Sequence, residues 1–229
     1  MKKIPGFLTL LVAFSLPISF LSCNNGDEKK DDKTMTAAQP TKIMLVEHKV
    51  ADFTKWKAAY LAHDSSRMSA GISPFRLGRG IDDSNMVVVL DLMQDLKKAK
   101  DFGASDDLKK AMKNAGVVDT PYIGFMEMVR GDTTMIPQME RLMVAHHVKD
   151  YSVWLKEFDG EGTATRASYG LMDKAIGRGM EDSNMVYVVF AVTDIAKAKA
   201  RAQSPELKKM MDAAGVDSKP SAIFYRLVK

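Results

Sequence analysis

The apolar positions of the chain form two recurring patterns, short β-type runs and longer stretches with helical spacing. Residues 41–48 carry apolar side chains on both faces of a predicted strand, and His48 shares a face with Met44 and Val46. Asp52 then suits a helix N-cap, because aspartate accepts backbone N–H groups there and the aromatic residues after it recur at helical spacing. This part of the chain therefore predicts a strand followed by an amphipathic helix.

The buried stripe of that predicted helix changes character along its length. Phe53, Trp56 and Tyr60 are aromatic, whereas His63 and Arg67 continue the stripe with polar groups. Burying an unpaired arginine costs several kcal/mol. We therefore expect Arg67 to reach a carboxylate, a ligand anion or solvent.

Turn and cap residues define the remaining elements of the unit. Residues 75–80 predict a short strand, residues 82–85 (Asp-Asp-Ser-Asn) suit a hairpin turn, and residues 86–90 form a strand that is apolar on both faces. A helical segment capped by Asp95 and a last strand at 122–129 complete a β-α-β-β-α-β order, the ferredoxin-like arrangement. A strand that is apolar on both faces needs cover on both sides of its sheet.

The whole pattern occurs twice. Residues 78–87 return 99 positions later as residues 177–186, and one residue is inserted upstream in the second copy. The correspondences before that insertion pair His48 with His146, Asp52 with Asp150 and Trp56 with Trp154. Each copy leaves one apolar sheet face without helices, and packing the two sheets against each other would cover both.

We therefore predict an α+β fold of two ferredoxin-like βαββαβ units in tandem, which together form an intramolecular α/β-barrel with helices outside. The predicted boundaries are a signal peptide at 1–22, a disordered tether at 23–40, a first unit at 41–130, a linker at 131–140 and a second unit at 141–229. Because each sheet is already covered by its internal partner, a monomer is expected.

The N-terminal residues predict export and anchoring. Lys2 and Lys3 precede an apolar run at 7–20 that is short for a membrane span, and residues 20–23 (Phe-Leu-Ser-Cys) resemble the lipobox of bacterial lipoproteins. That resemblance implies cleavage before Cys23, acylation of this residue, and a lipid-anchored location in the bacterial cell envelope, at the periplasmic face or the outer surface. An ordinary secretory signal with an incidental cysteine is the alternative.

Charge and cysteine content narrow the possible functions. A net charge of +4 with interspersed signs and no Lys/Arg block is not the pattern of a nucleic-acid-binding protein. Cys23 is the single cysteine, which excludes an internal disulfide and a thiolate metal cage. Among the four histidines, His146 and His147 point to opposite strand faces, and the predicted helix separates His48 from His63. No metal site and no cofactor are therefore expected, although heme held by one axial histidine stays an alternative.

These repeated residues resemble the dimeric α/β-barrel superfamily, which includes antibiotic-biosynthesis-type monooxygenases, muconolactone isomerases, and chlorite dismutase and related heme proteins. The closer resemblance is to small single-unit bacterial proteins of that superfamily, labelled monooxygenase-like or cyclase-like. It rests on His-x-Val-x-Asp-aromatic-x-x-Trp, a late helical His and Arg, Asp-x-Asn at the hairpin and Ala-Gly-Val. The resemblance covers 41–129 and 141–229 and implies the fold more than the reaction, because this fold hosts unrelated activities.

The matching positions define a candidate site in each unit. In the first unit they are His48, Asp52, Trp56, His63, Arg67 and Asn85, and in the second they are His146, Asp150, Trp154, Arg166 and Asn184. Glu161 stands where His63 would be, with Gly160 and Gly162 beside it. The second site is therefore expected to be altered or inactive, and its first helix to end early.

The resulting hypothesis is a protein that binds a small hydrophobic or aromatic ligand between the first helix and the sheet. The resemblance implies a cofactor-independent monooxygenase or an isomerase-like enzyme, with His63 or His48 as the base, Arg67 holding the anion and Trp56 walling the pocket. Further candidate ligand contacts are Tyr60, Asn85, His146, Trp154 and Arg166. The alternatives are a non-catalytic binding or assembly module of the envelope, a heme- or metal-binding protein, and purely structural roles for His48 and His146.

Overall fold

A computed structural model of the chain describes residues 40–228. Cys23, the predicted signal peptide and nearly all of the predicted tether lie outside the described residues. The first unit contains β1 (Lys42–Lys49), α1 (Phe53–Ala62), α2 (Asp64–Ser69), β2 (Ile72–Gly80), β3 (Met86–Met93), α3 (Leu96–Ala104), α4 (Asp106–Asn114) and β4 (Tyr122–Gly131). The second contains β5 (Glu140–His147), α5 (Tyr151–Glu161), α6 (Thr163–Ser168), β6 (Leu171–Gly179), β7 (Met185–Val192), α7 (Ile195–Ala202), α8 (Pro205–Ala213) and β8 (Ser221–Leu227).

Side-chain caps start the helices where the sequence predicts them. Asp52 accepts the backbone N–H of Lys55 at the start of α1, and Asp150 caps α5 in the same way. The first helical stretch of each unit is divided, at His63 in one copy and at Gly162 in the other. The first helix of the second copy therefore ends early, at Glu161, as expected from its flanking glycines, and the first copy divides at the equivalent place.

The eight strands form one closed antiparallel barrel in the order β1-β3-β2-β8-β5-β7-β6-β4. Each unit contributes four strands, and the two sheets join at the β2–β8 and β4–β6 seams. This confirms the predicted tandem barrel. In the part of the chain that the structure covers, no helix is both long enough and apolar enough to cross a membrane.

The two faces of the barrel wall have different partners. Its inner face packs side chains from both units against one another: Ile43, Leu45, Val88, Leu90, Met126, Met143, Ala145, Tyr187 and Tyr225. Its outer face packs against the helices, with one core around Trp56 in the first unit and another around Trp154 in the second. The apolar inner face of each sheet is thus covered by the other sheet, as the pattern of β3 and β7 requires.

Glycines of the repeated motif lie at the seams. A Cβ at Gly78 would lie 2.2 Å from Cδ2 of Tyr225, whereas a Cβ at Gly177 would lie 2.8 Å from Sδ of Met126. Tyr225 and Met126 occupy equivalent positions in β8 and β4, 99 residues apart. The motif that identifies the repeat therefore serves the junction between the two half-barrels.

Candidate functional site

Each unit has a cavity between the outer face of its sheet and its helices. The cavity of the first unit has a volume of about 60 Å³, and that of the second has about 550 Å³. Equivalent residues line both cavities, beginning with His48 and Trp56 in the first and His146 and Trp154 in the second. The repeat therefore offers two versions of one site that differ mainly in free space.

The strand histidines are the most unusual polar groups of these cavities. His48 and His146 are only 2% and 3% exposed, and their rings lie 5.3 and 5.7 Å from the rings of Trp56 and Trp154. Burial lowers the pKa of each imidazole to about 4, so both are neutral at neutral pH. Neither ring nitrogen of either residue has a hydrogen-bond partner within residues 40–228. A purely structural role for these histidines would have a backbone carbonyl as their hydrogen-bond partner, and no such partner is found among the described residues.

In the first unit, Tyr60, Arg67 and Asp91 of the cavity are linked to one another. The Tyr60 hydroxyl donates to Asp91 at 2.9 Å. Arg67 donates from Nη1 to the Tyr60 carbonyl at 2.7 Å and from Nη2 to Asp64 at 3.1 Å, while its Nε lies 3.8 Å from Asp91. Burial raises the pKa of Asp91 to about 6. Arg67 is therefore paired within the protein, as the cost of an unpaired buried arginine requires.

The other candidates of the first unit are divided between cavity and surface. His63 is half-buried where α1 meets α2, with its ring 6.0 Å from that of Phe102, and it lines the small cavity. Asn85 instead shapes the β2–β3 hairpin, where its backbone N–H donates to Asp83 and its carbonyl accepts from Val50. The structure thus brings together His48, Trp56, Tyr60, His63 and Arg67 but leaves Asn85 outside.

In the second unit, a denser ion-pair cluster borders the cavity. Arg166 donates from Nε and Nη2 to both carboxylate oxygens of Asp173, at 2.8 and 2.7 Å, and from Nη1 to the Phe158 carbonyl at 2.7 Å. Glu161 lies 3.3 Å from Nη1 of Arg166 and accepts from Nη2 of Arg201 at 2.7 Å. Glu161 therefore does not merely replace His63, because it connects two buried arginines.

Several equivalent positions around the two cavities carry different side chains. The polar Tyr60–Asp91 pair becomes Phe158–Phe190, the His63–Phe102 contact becomes the Glu161–Arg201 ion pair, and Ile123 becomes Ala222. Ile123 packs into the outer core of the first unit, whereas the smaller Ala222 lines the second cavity. The smaller side chain leaves more room at this one position of the second cavity.

These sizes place the larger site in the opposite unit from the one that the sequence favoured. The second site was expected to be altered or inactive because Glu161 stands where His63 would be. That replacement does not indicate how much of the cavity the neighbouring side chains fill. Asp91, Asp173 and Arg201 were not predicted at all. Asp91 has a visible signal, a lone carboxylate in the apolar strand β3, and Arg201 replaces an aromatic residue of the repeat. Among the described residues, no three His, Cys, Asp or Glu side chains form a group that could hold a metal ion.

Solved structures share this architecture. An anthrone oxidase-like protein matches with a TM-score of 0.54 and 12% identity, over 82% of this chain and 92% of its own. A candidate monooxygenase from Fusobacterium nucleatum matches with 0.53 and 10%, over 83% and 93%. A heme-binding protein from Thermus thermophilus matches with 0.51 and 11%, over 83% and 92%. No family model matches this sequence, and no curated protein matches it.

At these identities the matches show the fold and leave the reaction open. The chain has the dimeric α/β-barrel fold of the ferredoxin-like, monooxygenase-like proteins, and it completes the barrel within one polypeptide.

Proposed function

We propose that this protein binds a small apolar or aromatic molecule in the cavity of its second unit. The volume of about 550 Å³ falls within the range of small-molecule sites, roughly 300–1,000 Å³. Its floor is apolar and consists of Leu142, Val144, Leu171, Val188 and Phe190. Trp154 and Phe158, whose rings stack with centroids 5.2 Å apart, add a flat aromatic wall.

The buried, unpartnered imidazole of His146 is the observation that supports this proposal most directly. A buried polar group without a partner costs about 1–3 kcal/mol, so a neutral imidazole bordering a cavity favours a ligand that bonds to it. A ligand hydroxyl or N–H could donate to the unprotonated nitrogen, while the other ring nitrogen could donate to a ligand oxygen. His48 has the same chemistry beside a cavity of about 60 Å³, which suits nothing larger than a few waters.

The reaction proposed for this site is a cofactor-independent monooxygenase-like or isomerase-like one. His146, rather than His48 or His63, would be the base that removes a proton from an acidic hydroxyl or carbon, because it borders the larger cavity. Arg166 would position this site rather than hold an anion, since Asp173 already pairs with it through two hydrogen bonds. A binding module without turnover is the competing proposal.

Ala222→Ile provides the test, because isoleucine is the natural residue at the equivalent position of the first unit. We expect wild type to bind 2-naphthol in a fluorescence titration and Ala222→Ile to weaken binding about tenfold or more. Ile123→Ala, the converse change, should leave this affinity unchanged. The proposal fails if wild type binds no such probe, or if Ala222→Ile binds as tightly as wild type does.

A second candidate function is heme binding, favoured by the unpartnered nitrogens of His146 beside a cavity of ligand size. A neutral imidazole is the form that serves as an axial ligand, and bound heme would supply redox chemistry. The match to the Thermus thermophilus heme-binding protein is compatible with this alternative. Hemin titration should then give a sharp absorption band that His146→Ala abolishes, and an unchanged hemin spectrum would exclude the alternative.

We further propose that the protein is anchored in the bacterial cell envelope through an acylated Cys23. The lipobox-like sequence at residues 20–23 supports this, and a polar stretch separates it from the first strand. Cys23→Ser should abolish labelling by radioactive palmitate and move the protein from the membrane fraction to the soluble fraction. Equal membrane association of both proteins would contradict the anchor.

A further inference from the structure

The Glu161–Arg201 ion pair borders the proposed binding cavity. Glu161 is the last residue of α5 and Arg201 lies in α7, and their side chains are 9% and 5% exposed. Nη2 of Arg201 donates to Oε1 of Glu161 at 2.7 Å. Both residues line the cavity, so the pair provides a charged edge to a mostly apolar space.

The first unit has no such pair at the equivalent positions. His63 and Phe102 occupy them, and their rings contact each other at a centroid distance of 6.0 Å. Both units have the strand histidine and the helix tryptophan. Only the second unit, which has the large cavity, has a glutamate and an arginine at these two positions. The fold of a unit therefore does not require this ion pair, because the first unit forms without it.

Charge balance indicates what kind of ligand group the pair accepts. Arg166 pairs with Asp173 through two hydrogen bonds and with Glu161 at 3.3 Å, while Arg201 pairs with Glu161, so the two arginines and the two carboxylates balance in charge. A ligand carboxylate bound to Arg201 would be repelled by the adjacent negative charge of Glu161. A ligand ammonium bound to Glu161 would likewise be repelled by the positive charge of Arg201. A neutral group with an adjacent donor and acceptor instead complements both side chains.

The remaining contacts of Arg201 leave room for such a group. Within the described residues, its other polar contacts are Ser204 Oγ at 3.4 Å and the Met210 thioether at 3.0 Å. The first is long for a hydrogen bond, and a thioether sulfur is a weak acceptor. A buried guanidinium with one strong partner therefore has donor capacity available for a ligand oxygen.

We propose that Glu161 and Arg201 bind a second polar group of the ligand, apart from the one that bonds to His146, and that this group is neutral and carries a donor beside an acceptor, as a carboxamide does. Arg201 would donate to the ligand oxygen, and the ligand N–H would donate to Glu161. This inference rests on the proposed ligand site of the second unit. It adds the chemical class of a second polar group of the ligand.

Three probes with the same ring system test the inference: naphthalene, 2-naphthamide and 2-naphthoate. We expect the wild-type protein to bind 2-naphthamide about tenfold more tightly than naphthalene or 2-naphthoate in calorimetric or fluorescence titrations. Glu161→Gln removes the opposing negative charge and should raise the affinity for 2-naphthoate about tenfold. A purely structural role for Glu161 would weaken the binding of all three probes together.

The double variant Glu161→His with Arg201→Phe installs the pair that the first unit already carries. It should lose the preference and bind 2-naphthamide no more tightly than naphthalene. If wild type binds the three probes equally, or prefers 2-naphthoate, this inference is wrong while the cavity proposal stands. If wild type binds 2-naphthol but none of the three, this inference is wrong, and if it binds none of the four, the proposed function fails first. Should the double variant not fold, Glu161→Gln alone decides.

Discussion

Gly78→Ala is a direct perturbation of the β2–β8 seam. The new Cβ would lie 2.2, 2.8 and 3.1 Å from three carbons of the Tyr225 ring, and Tyr225 is only 1% exposed. A buried rigid ring cannot move by the required ångström without displacing its neighbours, and overpacking of this kind costs about 1–3 kcal/mol. The gain from replacing a strand glycine, about 0.5–1 kcal/mol, offsets only part of this cost. We expect a net loss of about 1–2 kcal/mol.

The repeat supplies the matched control, Gly177→Ala at the β4–β6 seam. There the new Cβ would meet the Met126 thioether at 2.8 Å, and a methionine side chain can rotate away. Urea unfolding should therefore show a loss for Gly177→Ala of less than about half that for Gly78→Ala. In a double-mutant cycle, Tyr225→Met should remove most of the cost of Gly78→Ala. Equal losses at both glycines, or no coupling to Tyr225, would refute the assignment of these glycines to seam packing.

Three further predictions concern the electrostatics and the closed barrel. Burial raises the folded pKa of Asp91 to about 6, so its contribution to stability is present at acid pH and is lost as pH rises from about 4 to 6. In Asp91→Asn, the free energy of unfolding should therefore depend less on pH over that range. The hydrogen bond to Asp217 raises the pKa of His147, so this contribution is full below about pH 6.5 and is lost as pH rises through the folded pKa. His147→Lys, which installs the residue of the first unit (Lys49), should remove that dependence, and persistence would contradict the assignment. Because the internal partner covers each sheet, sedimentation at micromolar concentration should show a monomer, and a tight dimer would contradict this.

The repeat made the barrel predictable from the sequence. Strands 86–90 and 185–192 are apolar on both faces, and two half-barrels in one chain can cover each other's inner faces. The proximity of His48, Trp56 and Arg67 also followed from strand and helix periodicity, because one face of the strand meets one stripe of the helix. The face of the strand or helix on which each of these residues lies could therefore be predicted from the sequence.

The size of each cavity could not be read in the same way. It depends on the side chains at several equivalent positions, Ile123 against Ala222 among them, and on how closely the helices pack on the sheet. The partners of the buried arginines were equally hidden, because Arg67 uses Asp91 on β3 while Arg166 uses Asp173 on β6. The two equivalent arginines thus pair with carboxylates on different strands, and hydrophobic periodicity does not predict which strand supplies the carboxylate.

The second-unit site is tested most directly by locating a bound ligand in a crystal. Crystals soaked with 6-bromo-2-naphthol should show an anomalous bromine peak in the cavity beside Trp154, with the ligand hydroxyl in hydrogen-bond contact with His146. A peak in the first unit beside Trp56, or no ordered bromine in the second-unit cavity at saturating probe, would contradict the account.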